Sequence, residues 1–212
     1  REAPSVRAVY VVTNDRFHGQ FVAWAEARGF PKENIINDGT TSNDNRLGAV
    51  ADIRLALSAM PDEAKGRGVI VIAGDTLLRG FSLPAFLERY GQVSAHAPAG
   101  LVPFYTLSND AEVAKRGILE LDDSGRIVHF LEKPHPEDTP SRKACPPLYI
   151  YSPEVAAKIP EFLESTEKLE DRDAPGNFLR WVHDKANIFA VEVSGRFDIG
   201  GLADYEAALA AF

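Results

Sequence analysis

The chain has 212 residues, 45% of them hydrophobic and 25% charged, with a formal net charge of −8, a balance that supports one sizeable core and excludes disorder and fibrous repeats. An acidic chain without a basic stripe excludes nucleic acid as the main ligand, because neutralising phosphates takes clustered Lys and Arg. No apolar run nears the roughly 20 residues of a membrane helix, no signal-peptide pattern opens the chain, and Cys145, the single cysteine, permits no internal disulfide. The expectation is a soluble, cytoplasmic, single-domain protein in which Cys145 is merely packed. The first residue is Arg1 rather than Met, which points to a cut or trimmed product.

Residues 6–13 are apolar and β-rich, and Asn14 and Asp15 follow as helix caps. Phe17, Phe21, Trp24 and Arg28 share one helical stripe, which predicts a helix to about Arg28 stopped by Gly29 and Pro31, with Trp24 in the core and His18 capping or solvated. Residues 33–36 read as a short strand and 37–45 as a polar loop. Val50, Ile53, Leu57 and Met60 mark the core face of the next helix, closed by Pro61. Gly48 at its start suits either a ligand approaching backbone amides or close helix packing.

The run VIVI at 69–72 predicts a parallel strand buried on both faces, with Asp75 just past its carboxyl end, where open α/β sheets bind ligands. Asp75 also reads as a plain turn residue. Ser82 and Pro84 open a helix with Leu83, Phe86, Leu87 and Tyr90 inward. This alternation implies a doubly wound, mostly parallel, Rossmann-like sheet with right-handed crossovers. Strands at 99–107, 117–121 and 126–132, the last two joined at Asp123-Ser124-Gly125, then insert a mixed or antiparallel sheet.

A proline-rich loop spans 134–147, and the chain returns to a strand at 148–151. Pro153 opens a helix that Pro160 breaks or kinks. Residues 161–173 read as a solvated charged face, with a helical stripe at Phe178, Trp181 and Val182, a strand at 188–193, and a final amphipathic helix through Tyr205, Leu209 and Phe212. The other histidines lack ligand spacing.

Asp75, the pair Glu132-Lys133, and Asp198 all stand at strand ends or the turns after them. Two carboxylates from separate strands suit Mg²⁺, a hard cation that takes one or two carboxylates plus substrate phosphates, and a nearby Lys suits a phosphate. Each also reads as a surface or turn residue.

The succession GDTLL at 74–78, RGILELDDSGRIVHFLEKP at 116–134, LYIYS at 148–152, DAPGNFLRWV at 173–182 and GRFDIGGLADYEAA at 195–208 resembles sugar-1-phosphate nucleotidylyltransferases, the NDP-sugar pyrophosphorylases, over nearly the whole chain. The resemblance implies the nucleotide-diphospho-sugar transferase type of α/β fold. It also implies nucleotidyl transfer from a nucleoside triphosphate to a sugar 1-phosphate, giving an NDP-sugar and pyrophosphate. By position it gives Asp75 and Asp198 the Mg²⁺, Lys133 the sugar phosphate, Glu132 the sugar hydroxyls and Gly117 a backbone contact to the sugar. It gives Gly48 a backbone contact to the nucleobase, Leu148 and Tyr149 the wall of the sugar pocket, and Asn177 a further substrate contact. Neither nucleic acid nor a membrane is an implied partner, and a homo-oligomer is compatible with the sequence.

One departure is evident. The family's first strand leads into a Gly-rich GxGxRL loop and a PK pair that grip the triphosphate, and the strand at 6–13 resembles the family's second strand. Either the signature segment lies before Arg1, or the domain lacks it and binds without catalysis; this chain alone is expected to be inactive or nearly so. Related cytidylyltransferases act on non-sugar phosphates such as phosphocholine, which leaves that acceptor class open. A GT-A type glycosyltransferase is disfavoured because no DxD motif stands where one would be expected.

Overall fold

In the computed structural model, which describes residues 6–166 and 168–210, the elements run β1 (Val11–Thr13), α1 (Asp15–Arg28), β2 (Ile35–Asn37), α2 (Ala49–Ala59), α3 (Asp62–Lys65), β3 (Val69–Ile72), β4 (Thr76–Arg79), α4 (Leu83–Val93), β5 (Ala99–Thr106), β6 (Gly117–Leu121), β7 (Ile127–Glu132), β8 (Lys143–Cys145), β9 (Leu148–Tyr151), α5 (Pro153–Ala156), α6 (Ile159–Glu164), α7 (Leu169–Asp173), α8 (Pro175–Val182), β10 (Asn187–Glu192), β11 (Gly195–Asp198) and α9 (Leu202–Leu209). Phe212, expected in the last helix, lies outside the described residues. The fold is mixed α/β with sheets partly parallel and partly antiparallel. No described helix is long and apolar enough to cross a membrane. The chain divides into two compact units, one holding 68–156 and 179–210, the other 6–67 and 157–178.

In the second unit β1 pairs β2 in parallel, Val11 opposite Ile35. The strand expected over 6–13 is this short because a ladder extends only as far as its partner. Asn14 caps α1 by accepting the Phe17 N–H at 3.1 Å, and Gly29 ends it in the left-handed conformation, as the cap residues predicted. The face of α1 is otherwise than expected. Phe17, Phe21 and Trp24 are 40%, 38% and 43% exposed, while Ala25 is fully buried. The inward stripe is His18, Val22 and Ala25, and the His18 ring lies 3.4 Å from the Ile35 carbonyl. Trp24 lies against Phe30 instead, ring centroids 5.5 Å apart.

The polar loop satisfies itself. Gly39 N–H donates to Asn37, Thr40 N–H to Asp38, and the Thr41 and Ser42 amides to Asn45, local side-chain bonds that replace a ladder. α2 buries Val50 and packs on β1, α6 and α7.

The first unit is built on a seven-stranded sheet in the order β3-β9-β5-β8-β6-β7, with β10 parallel to β5 on its other edge. β8 was not foreseen inside the proline-rich loop; Lys143–Cys145 pairs both β5 and β6. Leu101, Leu148, Ile150 and Phe86 of α4 form a core. β3 pairs β9 antiparallel and no other described strand. With one edge paired, its burial is uneven: Val69 is buried and Ile72 is 55% exposed, whereas four buried residues were expected. β4, also unforeseen, pairs β11 in an antiparallel ribbon.

Candidate functional site

The ribbon brings two acids together. Its register sets Asp198 opposite Thr76, and the Ile199 N–H donates to the Asp75 carbonyl at 2.8 Å, so the two residues stand at one ribbon end. Asp75 Oδ1 accepts from the Thr76 hydroxyl at 3.3 Å. Asp198 Oδ2 accepts from Arg196 at 2.6 Å and Arg116 at 3.4 Å. The remaining oxygens, Asp75 Oδ2 and Asp198 Oδ1, accept nothing among the described residues. They are the oxygens a hard cation could take.

Arg116 links this corner to the β6–β7 hairpin. It precedes Gly117, which stands opposite Glu132, and its carbonyl accepts the Lys133 N–H at 2.9 Å. Lys133 is the one described non-glycine residue at positive φ, 51°. Left-handed backbone is costly for an L side chain and marks functional positions when the surroundings hold it; here the Arg116 bond and Pro134 do so. Gly117 has no room for a side chain, since a Cβ would meet Phe130 Cζ at 2.5 Å and Glu132 Oε2 at 3.1 Å.

Burial pushes the Glu132 carboxyl above its usual range, against the opposing pull of Lys133 and Arg180. Burial likewise pushes Cys145 and Tyr149 well up; both also feel the Glu132 charge, and Arg196 opposes the shift in both. Glu132 and Cys145 both stand opposite Gly117, on the strands either side of it. Cys145 is buried, packed as expected.

The sequence profile of the nucleotidyl transferase family matches residues 4–212. The chain belongs to that family. Solved structures agree on the fold: an apo UDP-glucose pyrophosphorylase (20% identity, 97% of this chain and 80% of that one, TM-score 0.68), a protein described as a glucose-1-phosphate thymidylyltransferase from Bacillus anthracis (16%, 95% and 74%, 0.69), and a UTP-bound UGPase from Acinetobacter baumannii (17%, 91% and 69%, 0.62). At these identities the likeness shows the fold alone.

Within this nucleotidyl transferase, Asp75, Gly117, Glu132, Lys133, Tyr149 and Asp198 lie in the first unit, and all but Tyr149, which stacks on Tyr151, are connected by the contacts above. Leu148 shares that unit but turns into the core with Phe86, Leu101 and Ile150. Gly48 and Asn177 belong to the second unit. Gly48 starts α2 at φ 92°, and a Cβ there would meet the Arg172 carbonyl oxygen at 2.9 Å, so close packing explains the glycine. Asn177 is buried and donates to the Glu170 carbonyl at 3.2 Å. Sequence reasoning missed Arg116 and Arg196 as site residues. Arg196 had a signal: two residues before Asp198 on a strand, it shares that residue's face. Arg116 had none, because its reach to Asp198 depends on how the hairpin meets the ribbon.

Proposed function

We propose that this protein transfers a nucleotidyl group from a nucleoside triphosphate to a sugar 1-phosphate, giving an NDP-sugar and pyrophosphate. The observation that carries the reading is the meeting of Asp75 and Asp198 at the ribbon end, with Arg116 linking Asp198 to Lys133. Family membership supports the reaction type, and a pyrophosphorylase and a UTP-bound UGPase among the fold relatives support the substrate classes.

No protein base is required, because the acceptor phosphate oxygen is already ionised. That oxygen attacks the α-phosphorus in line, forming the new P–O bond as the bond to pyrophosphate breaks and its electron pair leaves with pyrophosphate; catalysis is positioning and charge neutralisation. Lys133 faces the acceptor phosphate as a point charge. Glu132 accepts from the sugar hydroxyls, the Gly117 backbone contacts the sugar, and Tyr149 walls the pocket.

Asp75 and Asp198 would hold Mg²⁺. Among the described residues no group of three or more His, Cys, Asp or Glu could hold a metal, and Mg²⁺ suits a two-carboxylate set because it completes its shell with waters and phosphate oxygens. When bound, the ion neutralises charge developing on the α-phosphate.

The test is pyrophosphate release by the full-length protein from the four common nucleoside triphosphates, with glucose 1-phosphate or mannose 1-phosphate and Mg²⁺. Release that needs both substrates and is lost in Asp75→Ala supports the reading. No release from any pair overturns it in favour of a binding or regulatory role; release with phosphocholine alone moves the acceptor to a non-sugar phosphate.

A further inference from the structure

We infer that Arg116 and Arg196 form a phosphate-binding clamp for the acceptor, made from two guanidinium groups that Asp198 holds in place. This inference rests on the transfer reading above and names residues to which that reading gives no role.

The argument starts from unmet hydrogen bonding. The Arg196 side chain is only 9% exposed, and its one partner among the described residues is Asp198 Oδ2 at 2.6 Å. Its Nε is buried and has no acceptor among the described residues. Arg116, with a side chain 20% exposed, reaches the same oxygen at 3.4 Å and Glu112 at 3.1 Å, and its Nε is likewise buried without an acceptor. A guanidinium carries five donors in a planar fork, and donors left without a partner in a buried setting are costly. Two such forks meeting on one carboxylate oxygen leave more donors than acceptors. A phosphate group supplies the missing oxygens and matches the fork bidentately.

Charge agrees with the hydrogen-bond count. Arg116, Arg196 and Lys115, which bonds the other Glu112 oxygen at 2.9 Å, are three cations sharing the two carboxylates of Asp198 and Glu112. The 3.4 Å contact is the weaker of the two on Asp198, so Arg116 can turn to an incoming oxyanion while Arg196 keeps the carboxylate aligned. The clamp belongs to the acceptor side because the Arg116 carbonyl is bonded to the Lys133 amide, beside Gly117 and opposite Glu132.

The decisive experiment titrates the full-length protein and its Arg116→Gln and Arg196→Lys variants calorimetrically with inorganic phosphate, glucose 1-phosphate, mannose 1-phosphate and pyrophosphate. Circular dichroism and thermal melts verify folding, and Arg89→Gln, on α4, serves as a control. Each clamp variant is expected to bind a sugar 1-phosphate about tenfold more weakly, with pyrophosphate affinity changed less than about twofold. KM for the sugar phosphate should rise in parallel, with KM for the triphosphate unmoved. Folded variants that bind the sugar phosphates as the wild type does, or a wild type that binds none of the three orthophosphate probes, overturn the clamp. Selective loss of pyrophosphate binding overturns its assignment to the acceptor. Arginine-dependent sugar-phosphate binding without turnover sinks the transfer reading and leaves the site; turnover with unchanged KM in both variants does the reverse.

Discussion

The Ile199 amide donates to the Asp75 carbonyl at 2.8 Å, extending by one bond the ribbon register that places Asp198 beside Asp75. The two acids nevertheless do different work. The Asp75 carboxylate is exposed and, among the described residues, bonds only its neighbour Thr76, whereas the Asp198 carboxylate carries two arginines. Asp75→Asn should therefore cut pyrophosphate release by roughly a hundredfold or more and leave the melting temperature unchanged. Asp198→Asn should lose comparable activity and also about 1 kcal/mol of stability, a figure discounted because the Asp198 side chain is 44% exposed. Equal melting curves for the two variants would show that the arginines are not held by Asp198.

Gly117→Ala tests the hairpin. The new Cβ would meet Phe130 Cζ at 2.5 Å, and Phe130 is 3% exposed, so the ring cannot swing into solvent. Overpacking of this kind costs about 1–3 kcal/mol, measurable as a lowered urea midpoint. Because Glu132 is displaced with Phe130, KM for the sugar phosphate should rise more than KM for the triphosphate.

Strain at Lys133 can be separated from its charge. An L residue at φ 51° bears a cost of about 1 kcal/mol that glycine does not. Lys133→Gly should raise the urea midpoint slightly and Lys133→Ala should not, while both lose activity to a similar degree. A gain in stability with alanine would remove the backbone argument.

Asp52 supplies a pH prediction. Burial, and secondarily the charges of Asp38 and Asp173, raise its carboxyl to about 6 from 3.8, and its Oδ1 has no partner among the described residues. The folded state binds this proton more tightly than the unfolded one, so the group disfavours folding as pH climbs from about 4 to about 6, and the full penalty persists above that. After discounting for partial exposure the effect is about 1–2 kcal/mol. Asp52→Asn should flatten that stretch of the stability profile and raise the urea midpoint at pH 7; parallel profiles would contradict the assignment.

The sequence by itself determined what depends on neighbours a few residues away. Asn14 and Gly29 bound α1, Pro160 separates α5 from α6, and Asp122 shapes the β6–β7 turn by accepting from Ser124 and Arg126. The resemblance of the GD, EKP and DIG segments to a transferase family likewise needed only residue order, and the family match over 4–212 agrees with it. Tertiary structure decided the rest. It chose His18, Val22 and Ala25 as the inward face of α1 over the Phe17–Trp24 stripe, drew Lys143–Cys145 out of a proline-rich loop into the sheet, and set Arg116 on Asp198. Caps and turns close hydrogen bonds within one short segment, so local residue types specify them. A strand edge, a helix face or a buried guanidinium takes whichever distant partner packing presents, and that choice exists only once the chain has folded.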